Sequence, residues 1–156
     1  MGARVSPLRI YHRLLPHWRI DDAVYVVTWR LHSTQPRLAV LEREQLGEIL
    51  RKFDRRRYEL FAYVVMDDHV HALLQSHGAY PLEQIIHSWK SYSAWLFQRN
   101  SSRRGKIWQR EYHDRLIRTQ ADFDEKVGYI LDNPYRRWPG IDVYPWAWCR
   151  EDEAQP

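Results

Sequence analysis

Tyr58-Glu59-Leu60-Phe61-Ala62-Tyr63-Val64-Val65-Met66-Asp67-Asp68-His69-Val70-His71-Ala72-Leu73-Leu74-Gln75 reads as two strands joined by a tight turn. β-Branched and aromatic residues favour a pleated, half-buried surface, and an Asp-Asp pair favours a turn, so the spacing predicts a hairpin with strands over 58–66 and 69–75. Side chains two apart on a strand share a face. His69 and His71 therefore point one way while Val70, Ala72 and Leu74 point the other. Two imidazoles on one face can serve one cation, because imidazole is the commonest metal ligand. The same alternation also fits a strand with one wet face that carries histidines for no chemical reason, and both readings stand at this point.

Outward from the hairpin, Ala23 to Leu31 is rich in Val, Tyr and Trp and reads as a strand. Leu41, Leu46, Ile49, Leu50 and Phe53 recur at helical intervals, predicting a helix over about 41–55. Pro81 opens a second helix running to about Gln98, with Leu82, Ile85, Ile86, Trp89, Ala94 and Leu96 along its stripe. A short strand follows over about 111–118. A third helix spans 120–133 and should stop at Pro134, since proline lacks the N–H a helix interior needs. The order is that of an α+β fold: a ferredoxin-like βαββαβ antiparallel sheet with helices on one face, plus a C-terminal helix. Residues 1–20 read as an irregular basic arm, 21–137 as the domain, and 138–156 as an extended tail in which Trp138, Trp146 and Trp148 wrap the body.

The 156 residues suit one domain rather than two. Net charge is +4, and 20 of the 24 basic residues are arginine, the side chain suited to bidentate phosphate contact and to stacking on bases. The excess is larger once the acidic run Glu151-Asp152-Glu153 is set aside, so it belongs to a face of the molecule. Basic clusters stand at Arg55-Arg56-Arg57, at Arg103, Arg104 and Lys106, and at Arg136-Arg137; each also fits a solvated helix end. Cys149 is the single cysteine, which excludes an internal disulfide and a thiolate zinc cluster. The chain has no apolar run long enough for a membrane span, and the expected location is cytoplasmic and nucleoid-associated.

On the last predicted helix, Tyr129 and Asn133 are four residues apart and share a face. A phenol is a competent covalent nucleophile when a base or cation is near, and a cation held by His69 and His71 would polarise a phosphodiester oxygen. Without such a partner Tyr129 reads as a packing residue.

Three stretches in this order, Val65 to Leu74, Ile107-Trp108-Gln109-Arg110-Glu111-Tyr112-His113-Asp114-Arg115-Leu116-Ile117-Arg118, and Tyr129-Ile130-Leu131-Asp132-Asn133-Pro134, resemble the single-tyrosine HUH transposases of small bacterial insertion sequences. Within that group they look most like the REP-associated tyrosine transposases. The resemblance covers about residues 24–137. It implies that His69 and His71 bind a divalent magnesium or manganese ion and that Asn133 supplies a third polar ligand. It implies that Tyr129 attacks single-stranded DNA, retaining the 5′ phosphate and freeing a 3′ hydroxyl. The expected partner is single-stranded DNA with a hairpin, either a REP-like palindrome or an insertion-sequence end, with a monomer favoured over a dimer. Arg103, Arg104, Lys106, Arg110, Arg115, Arg118, Arg136 and Arg137 are the basic residues expected on that DNA. A mobile transposase, a replication initiator with the same chemistry and a hairpin-binding protein without cleavage are the alternatives. The chain departs from many relatives twice: Asp67-Asp68 stands where they have Pro-Asn, and Tyr135-Arg136-Arg137 follows Asn133-Pro134 where they have Val, a basic residue and Gly. Asp68 reads as a turn residue, with a supporting partner of His69 or an extra metal ligand as alternatives. His113 and Asp114 read as a polar pair at a strand edge.

Overall fold

The structure, a computed structural model, describes residues 23–150. The basic arm expected over 1–20 and the acidic run Glu151-Asp152-Glu153 lie outside the described residues. The elements run β1 (Val24–Leu31), α1 (Val40–Arg51), β2 (Tyr58–Val65), β3 (His69–Ser76), α2 (Leu82–Asn100), β4 (Trp108–Ile117), α3 (Gln120–Arg137) and β5 (Ala147–Cys149). The first seven follow the expected βαββαβα order. The sheet order is β4-β1-β3-β2-β5 with antiparallel neighbours throughout, so β3 sits in the middle. Among the described residues no helix is long and apolar enough to cross a membrane.

Strand alternation divides the core in two. Val27, Trp29, Val70, Ala72 and Leu74 face α1 and α2, while Val24, Val64 and Leu73 face Phe123, Val127 and Ile130 of α3. On the first face Trp29 stacks on Trp89 with ring centroids 5.8 Å apart and meets the edge of Trp108 at 6.2 Å. The polar atoms of this aromatic layer are satisfied internally. Trp89 donates to Tyr58 Oη at 3.1 Å, Tyr58 donates to the Leu50 carbonyl at 2.6 Å, and Trp108 donates to Ser93 Oγ at 2.9 Å. A register shift between Leu60 and Ala62 turns Phe61 toward α3, where it meets Phe123 at 5.1 Å. α3 thus covers the face opposite α1 and α2, and the central strand is buried on both sides.

Two expectations are corrected. α3 does not stop before Pro134 but runs through it to Arg137, with Trp138 N–H bonded to the Pro134 carbonyl at 2.8 Å. Proline's fixed φ is helical, and in a last turn it removes one hydrogen bond rather than disrupting a long ladder. Burial of Pro134 against the sheet and the contacts of Arg137 described below offset that loss. The segment expected as an extended tail crosses the body and ends as a fifth strand on β2. Tyr144 Oη donates to the Val65 carbonyl at 2.6 Å, Val65 N–H to the Trp146 carbonyl at 2.8 Å, and Arg150 fixes the strand end through Asp54 at 2.5 Å.

Arg103, expected on DNA, is buried and belongs to the fold. Its five N–H donors are all used: Nε and Nη2 bind the Glu42 carboxylate at 2.5 and 2.6 Å, Nη1 binds Gln35 Oε1 and the Pro36 carbonyl, and Nη2 also binds the Arg37 carbonyl. This fastens the loop before β4 to the start of α1. Burial would raise the Glu42 carboxyl, but the Arg103 contacts, with the Ala39 N–H, hold it below its ordinary 4.5. A carboxyl with a lowered folded value contributes stability above the ordinary value and loses it as pH falls through the folded one. Arg103→Ala strands a buried carboxylate, so urea denaturation near neutral pH should show a loss of about 3 kcal/mol. The gap to wild type should narrow as the pH is lowered below 4.5. An unchanged midpoint would place Arg103 outside the fold's support.

Candidate active site

His69 and His71 project from β3 toward α3, with ring centroids 4.7 Å apart and planes at 83°. Both are 7% exposed, and each Nδ1 is engaged. Asp68 Oδ1 lies 2.6 Å from His69 Nδ1; an ionised carboxylate only accepts, so Nδ1–H is the donor. Thr28 Oγ1 on β1, the register partner of His71, lies 2.7 Å from His71 Nδ1. Where Nδ1 carries the proton, Nε2 is left as an unprotonated lone pair, the form a metal ligand requires. Burial pushes the His71 imidazole down to about 3, helped by the charges of His69, Arg30 and Arg136. His69 is also lowered by burial, although Asp68 opposes the shift. Neutral rings are thereby favoured.

α3 brings Tyr129 over this pair. Its ring centroid is 5.6 Å from that of His71, at 77°, and the phenol is 43% exposed, so a substrate can reach it. Arg136 lies across the ring with Cζ 4.4 Å from the centroid. Asn133 follows one turn later on the same helix. Among the described residues no three His, Cys, Asp or Glu side chains gather into a metal cage. The donor set nevertheless fits a divalent cation: two neutral, oriented imidazoles, with Asn133, water and substrate oxygen to fill the remaining positions. Tyr112 is no rival for the phenol's place, since it sits on the other face of the sheet with the α1/α2 core.

Asp68 is a turn residue and also the supporting partner of His69. Burial would raise its carboxyl, yet the His69 N–H and charge, with Arg137 and Arg37, hold it at about 2. Arg137, expected on DNA, instead lies 2.9 Å from Asp67 Oδ1 and 3.3 Å from Asp68 Oδ1, and Arg37 lies 2.7 Å from Asp68 Oδ2. The acidic turn before the histidines holds the basic end of the tyrosine helix.

The other basic residues expected on DNA are spread around the molecule. Arg104 and Lys106 are exposed in the loop before β4, whose carbonyls at those positions accept from Gln35 Nε2 at 2.6 and 3.0 Å. Arg110 lines the groove between α2 and β4. Arg115, paired with Asp122 at 3.1 Å, and Arg118 line a groove at the start of α3. Only Arg136 joins the tyrosine. His113 is the register partner of Thr28 on β4, which places it on the same face as His71, with β1 between them.

A second surface went unread in the sequence. Phe53, Arg57, Tyr58, Tyr80, Gln84, Ile85, Ser88 and Trp89 line a cavity of about 330 Å³ on the α1/α2 side. Arg57 lies 3.8 Å from the Phe53 centroid and 5.5 Å from that of Tyr80. Nearby, Lys52 lies over Tyr92 at 5.8 Å and Arg99 over Trp95 at 5.2 Å, with both rings about half exposed. Cations thus interleave with exposed rings along this surface. The sequence hint was Arg55-Arg56-Arg57 at a helix end, which does not reveal that Tyr80 folds back beside it.

Known proteins resemble this chain in sequence and in fold. The family described as "Transposase IS200 like" matches residues 21–132. The fold is similar to the structure of a REP-associated tyrosine transposase bound to a REP hairpin, with a TM-score of 0.62 and 21% identity over 88% of this chain and 91% of that one. It is also similar to a protein of Deinococcus radiodurans R1 whose assignment as a transposase is provisional, with a TM-score of 0.53 and 19% identity over 72% of this chain and 92% of the other. No curated protein sequence matches.

Asp68 orients His69, so Asp68→Ala should weaken binding of manganese about 10- to 100-fold, as loss of a carboxylate behind a ligating imidazole does elsewhere. Titration of the DNA-free protein followed by electron paramagnetic resonance measures this directly. Asp68→Asn, which keeps an acceptor oxygen, should fall between the two, and equal affinities for all three proteins would remove Asp68 from the site.

Proposed function

Because the chain belongs to the IS200-like transposase family, we propose that it is a metal-dependent transposase that cuts single-stranded DNA at the foot of a hairpin through a tyrosyl-phosphate intermediate and transfers the strand. The observation that carries this reading is Tyr129 standing 5.6 Å, ring to ring, from a His71 whose Nδ1 is already committed to Thr28. A bound magnesium or manganese ion, held by His69 and His71 with Asn133, would supply positive charge to a phosphate oxygen. The chain's residues account for the rest. The solvent-exposed Tyr129 hydroxyl gives up its proton to water and its oxygen attacks phosphorus; the P–O3′ bond breaks, the 3′ oxygen takes a proton from water, and the 5′ phosphate stays on the tyrosine. The free 3′ hydroxyl of another strand reverses the step and completes transfer. Packing of α3 on its own sheet makes the site whole within one chain, which supports action as a monomer.

The DNA lies across both surfaces in this reading. The half-exposed rings and cations of α1 and α2 hold the hairpin with its unpaired bases, and the strand leaving the foot passes the loop of Arg104 and Lys106 toward Tyr129. Regular duplex cannot present its backbone to a phenol set above a sheet without opening.

Tyr129→Phe should keep hairpin binding within about twofold yet yield no covalent adduct on a denaturing gel, since only the accepting oxygen is gone. His69→Ala and His71→Ala should each reduce cleavage by at least about 100-fold, and chelated wild type should regain activity with magnesium or manganese. An adduct surviving in Tyr129→Phe would move the nucleophile elsewhere. Tight hairpin binding with no adduct in the wild type would instead favour a binding protein that does not cleave.

A perfect duplex of the same sequence should be cut at least about tenfold more slowly than the hairpin, and hairpin binding should weaken steeply as salt rises, because phosphate contacts release counterions. Equal cutting of both substrates would overturn the single-strand reading.

A further inference from the structure

Resting on the reading above, we propose that Arg30 grips the phosphodiester that lies between the histidine pair and Tyr129, a substrate contact made by the chain's own charge. Arg30 sits on β1 opposite His69 of β3. It is two residues beyond Thr28, whose hydroxyl reaches His71, so alternation sends Arg30 to the same face. Nothing in its sequence neighbourhood marks it, because it lies forty residues before the histidines in a stretch that reads simply as a strand.

Its surroundings separate it from the other arginines near the site. Arg137 and Arg37 are bound by Asp67 and Asp68, and Arg103 by Glu42. Arg30 is exposed, and no carboxylate among the described residues pairs with it. Asp68, the acid beside the histidines, is already occupied by His69, Arg37 and Arg137. The cradle therefore holds two imidazoles, a phenol and two arginines, Arg30 and Arg136, and among the described residues no three His, Cys, Asp or Glu side chains gather there. Such a site has positive potential, and the carboxylate beside it, Asp68, is already engaged. A free negative oxygen has to arrive with the substrate, and a guanidinium fork matches the two non-bridging oxygens of a phosphodiester. Arg136 covers the Tyr129 ring itself, leaving the phosphate on the β1 side to Arg30.

The test uses full-length protein carrying Tyr129→Phe, without divalent ions, and hairpin oligonucleotides in which one phosphodiester at a time around the hairpin foot is replaced by an uncharged methylphosphonate. One position should weaken binding about tenfold when Arg30 is present, and the same replacement should cost less than about twofold in the Arg30→Gln background. Arg30→Lys, a charge without the fork, should retain part of the difference. With Tyr129 restored, Arg30→Gln should slow single-turnover cleavage about 100-fold while manganese affinity in the absence of DNA stays unchanged. Equal methylphosphonate losses with and without Arg30 at every position would overturn the proposal. Absence of a wild-type adduct with the Arg30 signature intact would overturn the cleavage reading and leave the phosphate grip standing; loss of the signature with the adduct intact would do the reverse.

Discussion

Two imidazoles stand in the central strand of a sheet covered on both faces, and burying polar rings there is costly unless their nitrogens find partners. The rest of the site follows from how that cost is met. Thr28 on one neighbouring strand and Asp68 in the adjoining turn each take an Nδ1, which leaves Nε2 of each ring outside these two contacts. An apolar pair in the same positions would pack at least as well. The histidines' Nδ1 partners hold both rings in fixed orientations within the sheet.

The carboxylate that orients His69 also binds the helix that carries Tyr129. Asp68 accepts from His69, Arg37 and Arg137, and Arg137 is the last residue of α3. Movement of α3 away from the sheet would remove Arg137 from Asp67 and Asp68 and alter the charge around the first imidazole. Helix docking and ligand orientation are thus coupled through about two side-chain contacts, each worth little alone when exposed but more within a network. This chain places charge on both sides of the junction, so its junction is held by ion pairs.

Much of this was legible in residue order. Alternation through Tyr58 to Gln75 yields the hairpin and the shared face of the histidines, and the apolar stripes of α1, α2 and α3 yield three helices. The misses have local physical causes. Pro134 reads as a stop because its lost hydrogen bond is visible in sequence while the burial and the Arg137 contacts that offset it are not. Ala147-Trp148-Cys149 is too short to show a period, and it becomes a strand only because β2 offers an open edge. Arg103 looks like any loop arginine until Glu42, sixty-one residues earlier, is found against it. The surface around Arg57 and Tyr80 is assembled from segments on either side of the hairpin, and its meaning lies in their proximity.

The order of the strands also has a kinetic side. β1 pairs with β3 and with β4 but with none of its immediate neighbours in sequence, so its ladders close loops that span much of the described chain. Closing such loops forfeits chain entropy before any contact compensates it, and folds dominated by distant pairings form slowly. The hairpin of β2 and β3 can form early from local contacts. Thr28 reaches His71 only after β1 has docked, and Tyr129 arrives only when α3 finds the finished face. His69 finds Asp68 within the hairpin itself, whereas His71 waits for β1 and Tyr129 for α3, so the full arrangement is complete only once the distant elements have docked.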